Sequence, residues 1–119
     1  KIAIIDYDIG NVRSILNAFE NQGVSALLTR EKNEILDADG VILPGVGAFS
    51  HGMGSLKKYN LIDTIKEYVK TNKPFMGVCL GMQMLFEESE EFGRTLGLGL
   101  ISGKVKKLPT QNSGMYLDA

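Results

Sequence analysis

The single cysteine of the chain, Cys79, stands between two glycines in Gly77-Val78-Cys79-Leu80-Gly81, with Gln83 shortly after. The pattern Gly-x-Cys-x-Gly is that of a sharp strand-to-helix turn presenting a nucleophile. Its glycines allow a turn too tight for side chains, because neither carries a Cβ. A residue at such a turn points out of the sheet. It also begins a helix, where free backbone N–H groups and the helix dipole favour negative charge. That place favours a thiolate, the attacking form of cysteine. Most lone cysteines are small buried packing residues. Here the flanking glycines, the apolar run before them and the polar Gln83 point to a nucleophile.

Such a turn needs a strand before it and a helix after it. Phe75, Met76 and Val78 are apolar and read as a buried strand after Pro74. Leu80, Met82, Met84, Leu85 and Phe86 open a helix, which this reading extends to the acidic run ending near Glu91. The rest of the chain alternates in the same way. Ile2 to Ile5 is a short apolar run rich in β-branched residues, as in a strand buried on both faces. The loop 7–11 follows, with Asn11 as a candidate cap. Val12, Ile15, Leu16 and Phe19 fall at helical spacing, and Gly23 is a candidate C-cap glycine. Val24 to Thr29 is a second strand and Glu31 to Leu36 a short helix. Val41 to Leu43 is a third strand, running into Pro44-Gly45-Val46-Gly47-Ala48-Phe49. Ser55 to Lys70 reads as one amphipathic helix with Leu56, Leu61, Ile62, Ile65 and Val69 on its apolar face. After the acidic run, 96–101 and 105–108 suggest a further strand or hairpin.

Strands alternating with helices imply parallel pairing through right-handed crossovers. The expected fold is therefore α/β, an open, mainly parallel sheet with helices on both faces. In such sheets function collects at the C-terminal strand ends. Loops 7–11, 44–52 and 79–83 lie there, and they hold the cysteine and many of the glycines.

Composition sets the outer bounds. The chain has 119 residues, enough for one domain. It is 44% hydrophobic and 23% charged, as in an ordinary globular protein, and its net charge of −1 offers no strong field for nucleic acid or an anionic membrane. One cysteine excludes an internal disulfide and fits a reducing compartment. The first residues read as a strand and not as a signal peptide, and no apolar run reaches membrane-spanning length. A cytoplasmic location is expected.

The Cys79 motif, with Met82 and Gln83, resembles the active-site motif of the class I, or triad, glutamine amidotransferases. Pro44-Gly45-Val46-Gly47-Ala48-Phe49 narrows the resemblance to the glutaminase subunits of imidazole glycerol phosphate synthase, in histidine biosynthesis. Residues 6–11, 85–91 and 97–101 also resemble that subunit type, in the same order along the chain. The resemblance covers residues 1–108 and implies a flavodoxin-like sheet. Residues 109–119 lie outside it as a tail that is polar from Thr110 to Gly114 and without pattern from Met115 to Ala119.

The resemblance implies that Cys79 attacks the side-chain amide of glutamine, that ammonia leaves, and that water hydrolyses the glutamyl thioester. It implies oxyanion donors from the Leu80 N–H and from Val46 and Gly47, with Gly45 and Gln83 at the substrate. The Gly10-Asn11 loop would face a (β/α)₈-barrel cyclase subunit, which takes the ammonia in a heterodimer. No cofactor and no metal are implied. The family triad also needs a histidine and a glutamate downstream of the cysteine, which this chain does not supply. Its one histidine, His51, reads as a solvated loop residue. Little or no glutaminase activity is expected of the 119 residues alone. Two other readings stay open: a non-catalytic flavodoxin-like binding or scaffold domain, and a cysteine hydrolase of the α/β-hydrolase type. The acidic run near Glu91 reads as a solvated helix end.

Overall fold

A computed structural model describes residues 1–9, 12–91, 93–106 and 108. Four strands, β1 (Ile2–Ile5), β2 (Ala26–Thr29), β3 (Gly40–Leu43) and β4 (Phe75–Gly77), form one parallel sheet in the order β2-β1-β3-β4. The register sets Ile4 beside Leu28 on one side and Ile42 on the other, and Ile42 beside Met76. Strand order reverses between β1 and β3, which makes their C-terminal ends the switch point of the sheet.

The connections are α1 (Arg13–Asn21), α2 (Lys32–Asp37), α3 (Phe49–Lys58) and α4 (Leu61–Val69). Side chains alternate across each strand, so the two faces differ. Ala3, Ile5, Val41 and Leu43 pack with Ile35 of α2, Phe49 and Leu56 of α3, and Leu61 and Ile65 of α4 in the main core. Ile4 and Ile42 point to the other face, where α1 lies. The right-handed crossover rule accounts for this split, because only the first connection runs toward β2. No residue of α1 is fully buried, and Met76 on that side is exposed.

Three expectations are corrected. The single helix over Ser55–Lys70 is two helices. Asn60 adopts φ 56°, ψ 36° and breaks it, a left-handed conformation that asparagine tolerates better than most residues. The first of the two begins earlier, at Phe49, although Gly52 and Gly54 weaken helix propensity. A Cβ at Gly52 would come within 2.7 Å of the Met84 sulfur and 3.0 Å of Leu80, so a larger residue there would make those side chains shift.

The helix after Cys79 is also shorter than expected. It is α5 (Leu80–Gln83), and the acidic run is a strand, β5 (Phe86–Ser89). That strand joins β6 (Thr95–Leu96) and β7 (Ile101–Val105) in a second sheet of order β6-β5-β7. Backbone partners decide this. Leu98 N–H donates to Met84 O at 2.8 Å, Leu100 N–H to Leu85 O at 2.8 Å and Gly97 N–H to Glu87 O at 2.8 Å. These contacts outweigh the helix preference of the glutamates. Glu88 is not a solvated helix residue: it pairs with Arg94 at 2.7 Å and with Lys104 at 3.9 Å. The third correction concerns His51, which lies in the first turn of α3 and not in a loop. Among the described residues no helix is long and apolar enough to cross a membrane.

Candidate active site

The chain after β4 turns sharply. Val78 N–H donates to Leu43 O at 2.9 Å, which keeps the turn against β3. Cys79 then takes φ 55°, ψ −120°, a conformation that non-glycine residues avoid. Gly81 N–H donates to Val78 O at 2.9 Å and Gln83 N–H to Cys79 O at 3.2 Å, which starts α5. Both flanking glycines are needed for their missing side chain. A Cβ at Gly81 would overlap the Leu43 carbonyl, and one at Gly77 would stand 2.7 Å from the Met82 backbone. Their φ values are not left-handed, so close approach is the reason for glycine at both positions. The thiol of Cys79 is exposed.

Beside it lies a cavity of about 240 Å³, lined by Ser14, Ile15, Pro44, Gly45, Val46, Val78 and Cys79. It opens at the C-terminal ends of β3 and β4, against the first turns of α1. The fold thus brings Cys79, Gly45 and Val46 together around one space. Gly47 follows Val46, exposed and with φ 99°. Gln83 is half-buried in α5 and does not line the cavity. His51 is exposed and does not line it either. Gly10 and Asn11 lie outside the described residues.

The Leu80 N–H is engaged here. It donates to Gly45 O at 3.1 Å, so the carbonyl of the 44–48 segment occupies the donor next to the cysteine. The carbonyl before it, that of Pro44, accepts the Tyr7 hydroxyl. The segment is pinned at two successive oxygens, while Val46 is 58% exposed.

Three residues at this edge, Ser14, Ile15 and Arg30, are given no functional role by the sequence reading. Ser14 and Ile15 line the cavity because α1 crosses on that face of the sheet. The polar residue at the start of α1 was the available signal. Arg30, after β2, lies with its guanidinium 3.9 Å from the centre of the Tyr59 ring and pairs with Asp6 and Asp8 at 3.1 Å each. The Tyr59 hydroxyl also donates to Asp8. This cluster ties the β1–α1 loop to β2 and to the end of α3. The Tyr59 hydroxyl first, and the Arg30 guanidinium after it, hold the Asp8 carboxyl below its ordinary range.

A larger cavity, about 530 Å³, lies elsewhere, between α3, α4 and β6, with Met53, Lys57, Asp63, Lys66 and Leu96 among its lining residues. Its lining holds no cysteine, serine or threonine. The smaller cavity, where the strained cysteine stands, is therefore the candidate site.

The family model described as glutamine amidotransferase class-I matches residues 3–116. A protein of Lactiplantibacillus plantarum named imidazole glycerol phosphate synthase subunit HisH is 49% identical over 108 residues, covering 91% of this chain and 52% of its own. A protein of the same name from Bacillus cytotoxicus is 53% identical over 107 residues, covering 90% of this chain and 51% of its own. The chain thus spans about half the length of these curated relatives. Among solved structures, one titled as a crystal structure of glutamine amidotransferase superposes with a TM-score of 0.74 at 20% identity, over 89% of this chain and 56% of that one. A protein of Listeria monocytogenes titled as a putative peptidase E superposes with a TM-score of 0.64 at 16% identity, over 84% of this chain and 62% of that one. These two likenesses carry the fold alone.

Proposed function

This chain belongs to the glutamine amidotransferase class-I family, and from that we propose that it carries the nucleophile of a glutaminase. In this reading the glutaminase is a subunit of imidazole glycerol phosphate synthase in the cytoplasm. The ammonia it releases goes to a (β/α)₈-barrel cyclase subunit in a heterodimer for histidine biosynthesis. The observation that carries the reading is the exposed Cys79, strained at the head of α5 and sharing a cavity with Gly45 and Val46.

The chemistry follows from that placement. The thiolate sulfur of Cys79 bonds to the side-chain amide carbon of glutamine, and the carbonyl oxygen takes the negative charge. The oxyanion collapses, the C–N bond breaks, and the nitrogen leaves as ammonia by taking the proton that the base removed from the thiol. Water then attacks the thioester carbon, the S–C bond breaks, and glutamate and the thiol result. Each tetrahedral stage needs donors already aimed at its oxyanion. Leu80 N–H is one donor in this reading, and Val46 or Gly47 supplies the second. Gly45 and Gln83 hold the substrate. The Gly10-Asn11 loop meets the barrel partner. The base that activates the thiol is a histidine supported by a glutamate, and neither role falls to His51.

The geometry also suggests how the activity is gated. A peptide is planar, so turning the Gly45–Val46 peptide over exchanges its C=O for the Val46 N–H. That single rotation releases the Leu80 donor and aims a second donor at the same place. Closure of this kind, driven by the partner, would keep glutamine from being wasted when no acceptor is bound. Equal glutaminase rates with and without the barrel subunit would refute the gate.

The test of function is covalent. A chloroketone analogue of glutamine, incubated with the complete synthase, should label Cys79, and Cys79→Ala should abolish both labelling and glutamine hydrolysis. The 119 residues alone should turn over little or no glutamine. Capture of a barrel subunit with no turnover in the complete assembly would favour the binding-domain reading instead.

A further inference from the structure

Tyr7 sits just past β1, on the main-core side of the sheet, and is 0% exposed. Its hydroxyl donates to the Pro44 carbonyl, across the two strands that flank the switch point. Burial pushes the phenol's pKa up, so it remains a neutral donor through the physiological range. A Cβ on Gly45 would run into this hydroxyl, so the phenol and the glycine are matched in space. The next carbonyl along, that of Gly45, is the one that occupies Leu80 N–H at 3.1 Å. Of the two pinned oxygens, one must let go for the gate to open, and the other need not.

We propose that Tyr7 is a positioning residue for the 44–48 segment. Its phenol holds the Pro44 carbonyl still, so that the Gly45–Val46 peptide turns about a fixed pivot. This rests on the glutaminase reading above. A planar peptide turns as one unit, so a hydrogen bond that holds the Pro44 oxygen resists rotation of the Pro44–Gly45 peptide. The motion is therefore confined to the peptide after Gly45, and both donors arrive in register. Without the hydroxyl, the Pro44 oxygen is buried with no partner and the pivot loosens. The arrangement that suffers is the one with both N–H groups aligned, which matters in the transition state more than in substrate binding.

The test is Tyr7→Phe in the complete synthase. The loss of one buried hydrogen bond lowers kcat for glutamine hydrolysis about tenfold and moves KM less than about twofold. Glutamate γ-semialdehyde reads the oxyanion site directly. Its carbonyl carbon bonds to the Cys79 sulfur, and its oxygen lies where the oxyanion forms. Its affinity should fall by a similar factor, about tenfold. Alkylation of Cys79 by iodoacetamide, which needs no oxyanion hole, should keep its rate. Unchanged kcat and aldehyde affinity overturn the proposal, and so does an alkylation rate that falls in parallel with kcat, the mark of general damage to the fold.

A measurement on the unaltered protein decides the matter if Tyr7→Phe does not fold. The Tyr7 hydroxyl proton should be protected from exchange both with and without bound aldehyde, and loss of protection in the aldehyde complex overturns the pivot. If the unaltered synthase neither hydrolyses glutamine nor binds the aldehyde, the glutaminase reading fails and the proposal with it. If it does both and Tyr7→Phe matches it, the proposal fails alone.

Discussion

Two turns meet at the C-terminal edge of the sheet, and they are built in opposite ways. The turn around Cys79 is closely packed at its two glycines, although the cysteine itself is exposed. Gly77 and Gly81 press against backbone, and hydrogen bonds from Val78, Gly81 and Gln83 close it. The 44–48 segment is held by the Tyr7 and Leu80 bonds to successive carbonyls, with Val46 and Gly47 exposed beyond them. The difference matches what the proposed glutaminase asks of each. A nucleophile held at an unfavourable φ keeps that strain only where its surroundings over-determine it. A segment that has to turn a peptide over must be free of such constraint past its pivot. One turn is locked and the other is latched.

The comparison breaks most completely at Gly81. Gly81→Ala puts a methyl into the Leu43 carbonyl, and backbone cannot yield as a side chain tip can. The cost should be about 3 kcal/mol or more, a large share of the ~5–15 kcal/mol that holds a domain together. Chemical denaturation of this variant beside the parent checks it. An unchanged midpoint would mean that the turn is not locked.

Cys79 separates strain from chemistry. Cys79→Gly relieves a non-glycine residue of its positive φ, worth about 1–3 kcal/mol. It also frees the unfolded chain, which costs about 0.5–1 kcal/mol. The net should be a gain of about 1 kcal/mol in stability, together with complete loss of glutamine hydrolysis when the variant is placed in the complete synthase. Cys79→Ala keeps the strained φ and should lose activity with little change in stability. Thermal unfolding of the two variants side by side tests this, and equal midpoints would remove strain from the account.

Much of this edge was legible in the sequence because it depends on local chemistry. Apolar runs such as Ile2–Ile5 and Val41–Leu43 are too short for buried helices, and the strand-helix alternation led to the parallel sheet. The glycines around Cys79 announced a turn that only missing side chains permit. What could not be read depends on partners distant in the chain. Phe86–Ser89 has a helix-like composition, yet residues 97–101 claim the backbone groups from Met84 to Glu87. The break at Asn60 answers to the packing of two helices on one face. That Ser14 and Ile15 line the cavity follows from the handedness of a crossover. That Tyr7 meets Pro44 follows from the pairing of β1 with β3. None of these leaves a mark in a short window of residues.

Gly47 sharpens the contrast from the side of the latched turn. It shares with Cys79 a positive φ, here 99°, but a Cβ added to it meets nothing. Gly47→Ala should therefore cost only backbone strain, about 1 kcal/mol, and the chain should fold. The same methyl that destroys the locked turn at Gly81 is tolerated in the latched one. Its effect should appear instead in glutamine turnover by the complete synthase, as a lower kcat with a smaller change in KM. A loss of stability as large as that of Gly81→Ala would show that the segment is packed and not latched.

The smallest effect belongs to Asp8, on the β1–α1 loop beside the pivot. Its carboxylate accepts from the Tyr59 hydroxyl and from Arg30, which pairs with it at 3.1 Å, and both partners hold its pKa down. A depressed carboxylate stabilises the fold above its unfolded pKa of about 3.9. That contribution is lost as pH falls through the lower folded value. Asp8→Asn should therefore melt slightly below the parent near neutral pH, and the gap should close in acid. Because the group is exposed, salt should narrow the gap at neutral pH as well. A gap that persists in acid would assign the effect to packing of the loop. Closure in both conditions would place Asp8 at the electrostatic rim of the edge, outside the hydrogen bonds that lock one turn and latch the other.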